Sequence, residues 1–200
     1  DNNRQAVAKQ SGVKTAADLV DNEYLKFEKA ATLAATAYTA LTGGTNGAAV
    51  TTQNYQDGLE MLEPYYFNVL GYAGSDDAIK GLLINFTHRC RVQTGAKFQL
   101  VIHGKQGVND EGVISVLNDV TDSGAEKGSA VYWVTGQEAS CAINETVGNR
   151  KYTGEYTINT KYKQFELEQA IKNGMFMFHS VTDSVGGNVT GEVRVLKDIN

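Results

Sequence analysis

Apolar residues recur along this chain with two different periods, and the changes of period mark out its elements. In "TTQNYQDGLEMLEP", Tyr55, Leu59 and Leu62 fall at i, i+4, i+7, the spacing of one helix face. Thr51 to Asn54 offer N-caps and Pro64 ends the run. "YFNVLGYAG" (66–74) is a short apolar strand closed by glycine. Ser75 then caps a second helix with Asp76 and Asp77 in its first turn, where the helix dipole favours anions. Ile79, Leu82, Leu83, Phe86 and Cys90 form its apolar stripe. Arg89 and Arg91 occupy the end that favours cations, and Gly95 stops it.

"KFQLVIHG" (97–104) follows, and its unbroken Leu-Val-Ile run predicts a strand buried on both faces. "EGVISVLND" (111–119) is the next strand. "GSAVYWVTGQEASCAIN" (128–144) predicts a helix with Ala130, Trp133, Val134, Cys141 and Ala142 inward. "YTGEYTI" (152–158) is a loop or an edge strand. "TKYKQFELEQAIKNG" (160–174) is a helix capped by Thr160 and ended by Gly174. "MFMFHSV" and "NVTGEVRVLKDI" flank a Gly186-Gly187 turn and predict a hairpin. The order α-β-α-β-β-α-α-β-β implies an α/β (α+β) fold, a mixed β-sheet flanked by helices.

The first fifty residues follow no single period. "VKTAADLVDNEYLKF" has the alanine of a helix, yet "EYLKF" alternates like a strand, and "TLAATAYT" is a poor helix by propensity. "TGGTNG" (42–47) breaks both patterns. The division expected is therefore 1–50 and 51–200.

Composition narrows the function classes. At 200 residues, 42% hydrophobic and 20% charged, the chain has the make-up of a folded domain. Its net charge of −5 and the lack of a basic cluster argue against nucleic-acid binding. No apolar run approaches the length of a membrane span. Cys90 and Cys141 fit two small apolar residues in a reducing compartment, with a disulfide left open. Asn85, Asn144 and Asn188 match the glycosylation pattern by chance, Asn85 from inside a helix.

Candidate chemistry is sparse. "GGTNG" lacks the spacing of a dinucleotide or phosphate loop. "YAGSDDAIK" has the strand-Gly-helix context of a phosphate site, but Asp76 and Asp77 would repel the ligand. No histidine or cysteine pair has metal-ligand spacing, and no serine elbow occurs. One constellation stands out: His103 at the end of a central strand, with Asp110 and Glu111 in the next loop to orient it. It would serve an α/β enzyme or a nucleotide-binding domain. Tyr65, Tyr66 and Phe67 would mark a partner surface if exposed, and a core contact if not.

Several stretches together resemble the contractile tail sheath proteins of phages and phage-like particles, in the branch found in prophages and tail-derived bacteriocins of Gram-positive bacteria. They are "AADLVDNEYLKF", "LTGGTNG", "YQDGLEMLEPYYFNVLGY", "DEGVISVLND", "YWVTGQEAS", "YTGEYTINTKYKQFELEQAIKNGMFMF" and "VRVLKDIN". The resemblance implies a structural subunit of a virion tail or tail-like particle, assembled in the host cytoplasm, with no enzymatic activity, catalytic residue, metal or cofactor. Its implied partners are other sheath subunits in a helical sleeve, the tail tube protein and the baseplate. It implies that residues 1–50 finish a β-rich domain, and that 51–200 are a sheet-and-helix core lacking a tube-facing C-terminal domain. Such a fragment is expected to be monomeric. A binding module of another kind, such as a receptor-binding part, would instead form a closed oligomer.

Overall fold

The computed structural model describes residues 9–23, 25–29, 32–34, 47–185 and 188–197. The chain divides into two compact units, Asp1–Ala48 and Ala49–Asn200. Among the described residues of the first, alanine content yields a single 3₁₀ turn, Ala16–Asp18. Among those residues, side chains bond to backbone. The Asp18 carboxylate accepts from Thr15 N at 2.8 Å and Lys14 N at 3.1 Å, and these amides lower its pKa. Asp21 Oδ1 accepts from Phe27 N at 3.0 Å. The described residues of "EYLKF" (23–27), expected as strand, carry neither strand nor helix: alternation favours a strand only where a second strand pairs with it. Most of "TLAATAYTAL" and "TGGTNG" lies outside the described residues.

The second unit follows the predicted order. It comprises α1 (Thr52–Leu62), β1 (Val69–Tyr72), α2 (Asp77–Arg89), β2 (Gln99–His103), β3 (Val113–Val116), α3 (Ala130–Ser140), α4 (Gln164–Lys172), β4 (Met177–Val185) and β5 (Asn188–Lys197). Strands β1-β2-β3 form a parallel sheet in that spatial order, with Leu70 opposite Leu100 and Val101 opposite Ile114. Strands β4 and β5 form the antiparallel hairpin. Its turn, Gly186-Gly187, lies outside the described residues. At the hairpin base Phe176 continues the parallel sheet beyond β3. Phe176 N donates to Ser115 O at 2.9 Å, and Leu117 N donates to Phe176 O at 2.8 Å. The architecture is the mixed α/β fold.

The two faces of β2 explain its unbroken apolar run. Leu100 and Ile102 face α1 and α2, packing with Leu59, Ile79, Leu83, Phe86 and Phe98. Val101 faces α3, in a cluster with Ile114, Val131, Val134, Phe176 and Val195. A third cluster joins α4 to the hairpin base through Ala170, Met175 and Met177. Strands β2 and β3 run parallel without a helix between them. The connecting loop is tied back by Ser115 Oγ, which accepts from Lys105 N at 3.0 Å and donates to Lys105 O at 2.6 Å.

Several helix ends differ from expectation. Asp76, not Ser75, caps α2, accepting from Ala78 N at 2.8 Å; an ionised cap is favoured over a hydroxyl beside the positive end of the dipole. Helix α2 runs into a π-helical turn, Cys90–Thr94, before Gly95 at φ 75° ends it as predicted. Helix α3 stops at Ser140, so Cys141 is half-buried beyond it and Ala142 is exposed. Helix α4 begins at Gln164 rather than near Thr160. Glu166 reaches back to Lys163 N at 2.7 Å, closing the end one turn later. Both cysteines are free thiols, Cys90 buried and Cys141 half-buried.

Asn118 fastens the hairpin to the sheet. It is fully buried just beyond β3. Its Nδ2 donates to Asn159 O at 2.8 Å and Phe178 O at 2.9 Å, and its Oδ1 accepts from Phe178 N at 2.7 Å. Asn118→Ala would strand these buried backbone groups, each costing about 1–3 kcal/mol. We expect urea melts to show a loss of about 2–4 kcal/mol, in line with other broken buried networks.

Candidate functional site

The parallel sheet decides the fate of the predicted constellation. His103 ends β2, whereas Asp110 and Glu111 precede β3. Parallel strands put the exit of one and the start of the next at opposite ends of the sheet, about 13 Å apart for four residues. His103 is therefore not oriented by Asp110 or Glu111. Those two fasten the other end instead. Asp110 Oδ2 lies 2.8 Å from His88 Nδ1, and Asp110 Oδ1 accepts from Gly112 N at 2.8 Å. Burial opposes the charge of Asp110, but the Gly112 amide, His88 and Arg91 outweigh it and hold the carboxyl below its usual range. Arg91 donates to Phe98 O at 2.8 Å and to Glu111 at 3.1 Å. Arg89 forms a two-pronged pair with Glu63, at 2.9 and 2.8 Å, joining the C-terminal ends of α1 and α2.

At the exit end of the sheet, where open α/β folds build their sites, a different set converges. His103 Nε2 lies 3.0 Å from Asp119 Oδ1, just past β3. His103 Nε2 makes no hydrogen bond there, so the contact is one of proximity. Lys127 approaches Asp119 Oδ2 at 3.5 Å. Nearby, Asp77 at the start of α2 is shared by the buried Lys80 at 3.6 Å and by Lys105 at 3.5 Å. Burial lowers the His103 pKa; Asp119 pulls it back up, while Lys80 and Lys127 press it further down.

The backbone over this end is tightly seated. A Cβ on Gly128 would run into the Ala73 carbonyl oxygen and stand 2.9 Å from His103 Cβ. The loop before α3 thus rests directly on the exits of β1 and β2. Asp119 was missed in the sequence because it lies sixteen places from His103, one strand away; only the parallel β2–β3 pairing makes them neighbours. Chemically, the set is a network of crossed ion pairs that ties α2, β2 and the β3–α3 loop together. Among the described residues no group of three or more His, Cys, Asp or Glu could hold a metal ion. None of their helices is long and apolar enough to cross a membrane.

Fold and site together define a layered, mixed-sheet α/β domain whose charged side chains bind its own elements to one another. The profile of the phage tail sheath protein central domain matches residues 48–200. The chain belongs to the phage tail sheath protein family, a family of structural components of the phage tail. It is similar to the sheath tail protein of Desulfitobacterium hafniense, with a TM-score of 0.80 and 30% identity, covering 94% of this chain and 44% of that one. It is also similar to the sheath tail protein Lin1278 of Listeria innocua, with a TM-score of 0.67 and 30% identity, covering 93% and 42%. Among curated proteins, YqbK of Bacillus subtilis (strain 168) is 31% identical over 174 residues. The chain spans about a third of that relative, 35% of its length.

Two predictions follow from the geometry. Gly128→Ala should cost about 1–3 kcal/mol by overpacking, read as a lowered urea midpoint with unchanged slope. The second concerns pH. The folded-state pKa of His103 lies below 6.5, so the unfolded chain binds the proton more readily. Stability is then full above pH 6.5 and falls as pH drops from 6.5 toward the folded value. Burial and Arg194 lower His179 in the same direction. Melts at pH 7.5 and 5.5 should show this loss, and His103→Gln should make it smaller; an unchanged pH slope in that variant would remove His103 from the account.

Proposed function

We propose that this chain works as the central domain of a contractile tail sheath subunit, without an enzymatic step. Copies of the subunit would pack helically around a tail tube, anchored at a baseplate, and contract to drive the tube through a bacterial envelope. The particle is a virion tail or a related prophage-encoded or bacteriocin device, put together in the host cytoplasm. The observation that carries this reading is the family match across 48–200, joined to a TM-score of 0.80 with a sheath tail protein.

Physical reasoning supports it. A contact between unlike patches generates an open helical array when its rotation does not close a ring. Contraction needs two packings of different energy, with the extended one held kinetically. Rigid subunits suit that task, and the ion pairs at both ends of the parallel sheet stiffen this one. The His103 alternative has lost Asp110 and Glu111; the carboxylate that does approach the ring, Asp119, makes no hydrogen bond to it and is shared with Lys127.

The test is negative-stain microscopy of the protein expressed from its whole reading frame, with and without the tube protein. Sleeves or open tubes of stacked subunits are expected. A uniform closed trimer would overturn the reading in favour of a receptor-binding part. Marked thermal stabilisation by a nucleotide would overturn it in favour of an enzyme or nucleotide-binding domain.

A further inference from the structure

Two exposed surfaces at opposite corners of the second unit complement each other. The first is a knob. After α1 the chain turns past Pro64 and leaves Tyr65 71% and Tyr66 91% exposed, beside Met61 at 73%. Phe67 turns inward onto Phe98, with ring centroids 4.6 Å apart, so the knob is held on a core anchor. The exposed residues Asp57 and Glu60 on α1 give this corner an acidic border, and α1 contains no Lys or Arg.

The second surface is a groove of about 310 Å³ between α4 and the exits of β2 and β3; its floor is Leu117, Tyr162, Phe165, Ala170 and Met175, and its walls are the polar Gln106, Glu166, Gln169 and Asn173. Phe165 is 60% exposed at its rim, with the Lys163 ammonium 5.9 Å above its ring. Lys161 and Lys163, both exposed, put two cations on the approach to the groove, while the Glu166 carboxylate in its wall is turned to the Lys163 backbone N–H at 2.7 Å. The topology sets the two surfaces diagonally. The knob precedes β1, at one sheet edge and the N-terminal ends of the strands; the groove lies past β3, at the far edge and the C-terminal ends.

We propose that the Tyr65–Tyr66 knob of one copy docks in the α4 groove of the next, as a contact between sheath subunits. The inference rests on the sheath reading and adds to it the surface through which copies meet. Aromatic anchors seated in apolar pockets supply most of the affinity of an interface, while the opposite-charged borders steer and set register. Because the patches are different and diagonal, each docking leaves a free knob and a free groove, so the contact propagates to further copies instead of ending at a two-fold pair.

The experiment uses the chain itself, with Cys141→Ser as background. Tyr66→Cys and Gln169→Cys chains, the latter altered at the groove wall, are mixed at millimolar concentration and treated with a short bis-maleimide. A 66–169 dimer should form in the mixture, less of it at high salt, with neither chain linking to itself. Asp57→Lys with Glu60→Lys in the first chain should cut the yield at least about tenfold, since like charges facing across an interface are repelled. Adding Lys161→Glu with Lys163→Glu in the second should restore it. That rescue separates lost complementarity from lost folding. Absence of the dimer, or failure of the rescue, overturns the proposal. A 66–66 link overturns it in favour of a two-fold pair, and linking only to added tube protein assigns the knob to the tube. Sleeves without the 66–169 link would leave the sheath reading intact while this inference fails; the link without sleeves would do the reverse.

Discussion

The buried amide of Asn118 is the interaction on which the second unit depends. A parallel three-stranded sheet and an antiparallel hairpin are two different hydrogen-bond lattices, and where they meet some backbone groups are left without ladder partners. Asn118 supplies both a donor and an acceptor at that seam, bonding the C=O and the N–H of Phe178 and catching Asn159 as well. With the seam satisfied, Phe176 and Phe178 can be fully buried. The aromatic cluster of Trp133, Tyr152, Phe176 and Phe178 then closes over the junction. Val195 on β5 completes the same core.

Much of this was legible beforehand. Element order in the second unit followed from periodicity, because long apolar stripes and the Leu-Val-Ile run have few alternative placements. Helix ends were less legible. Ser75 and Asp76 are both good caps standing side by side, so residue type alone places the helix start only to within one position. The start of α4 was set by Glu166 reaching back to Lys163, a preference outweighing the hydroxyl of Thr160. The candidate site was the least legible part. His103 was correctly put at a strand exit, but its neighbours depend on whether the following strand runs parallel or antiparallel. A short loop without a helix gives no signal of direction. Asp110 and Glu111 would stand near His103 across a tight hairpin; across a parallel crossover they cannot.

The charges follow one economy. At the N-terminal ends of the strands, Glu63–Arg89, His88–Asp110 and Arg91–Glu111 tie helix ends and loops together. At the exits, Asp77 and Asp119 collect Lys80, Lys105, Lys127 and His103. Isolated exposed pairs of this sort add little stability. Arranged at both ends of one short sheet, they hold the helices in register against it. This suits a domain of the structural family to which the chain belongs.

The chain contains a single tryptophan, and its position has a spectroscopic consequence. Trp133 on α3 donates to Thr153 Oγ1 at 3.1 Å and lies against Tyr152 and Phe178, with ring centroids 5.1 and 5.6 Å away. Its indole therefore samples the meeting point of helix, loop and hairpin. Lifting the hairpin from α3 would wet the indole and shift its emission to longer wavelength. Motion of the outer helices alone would leave that emission unchanged. The protein thus carries, without any label, an optical probe of the seam that joins its two sheets.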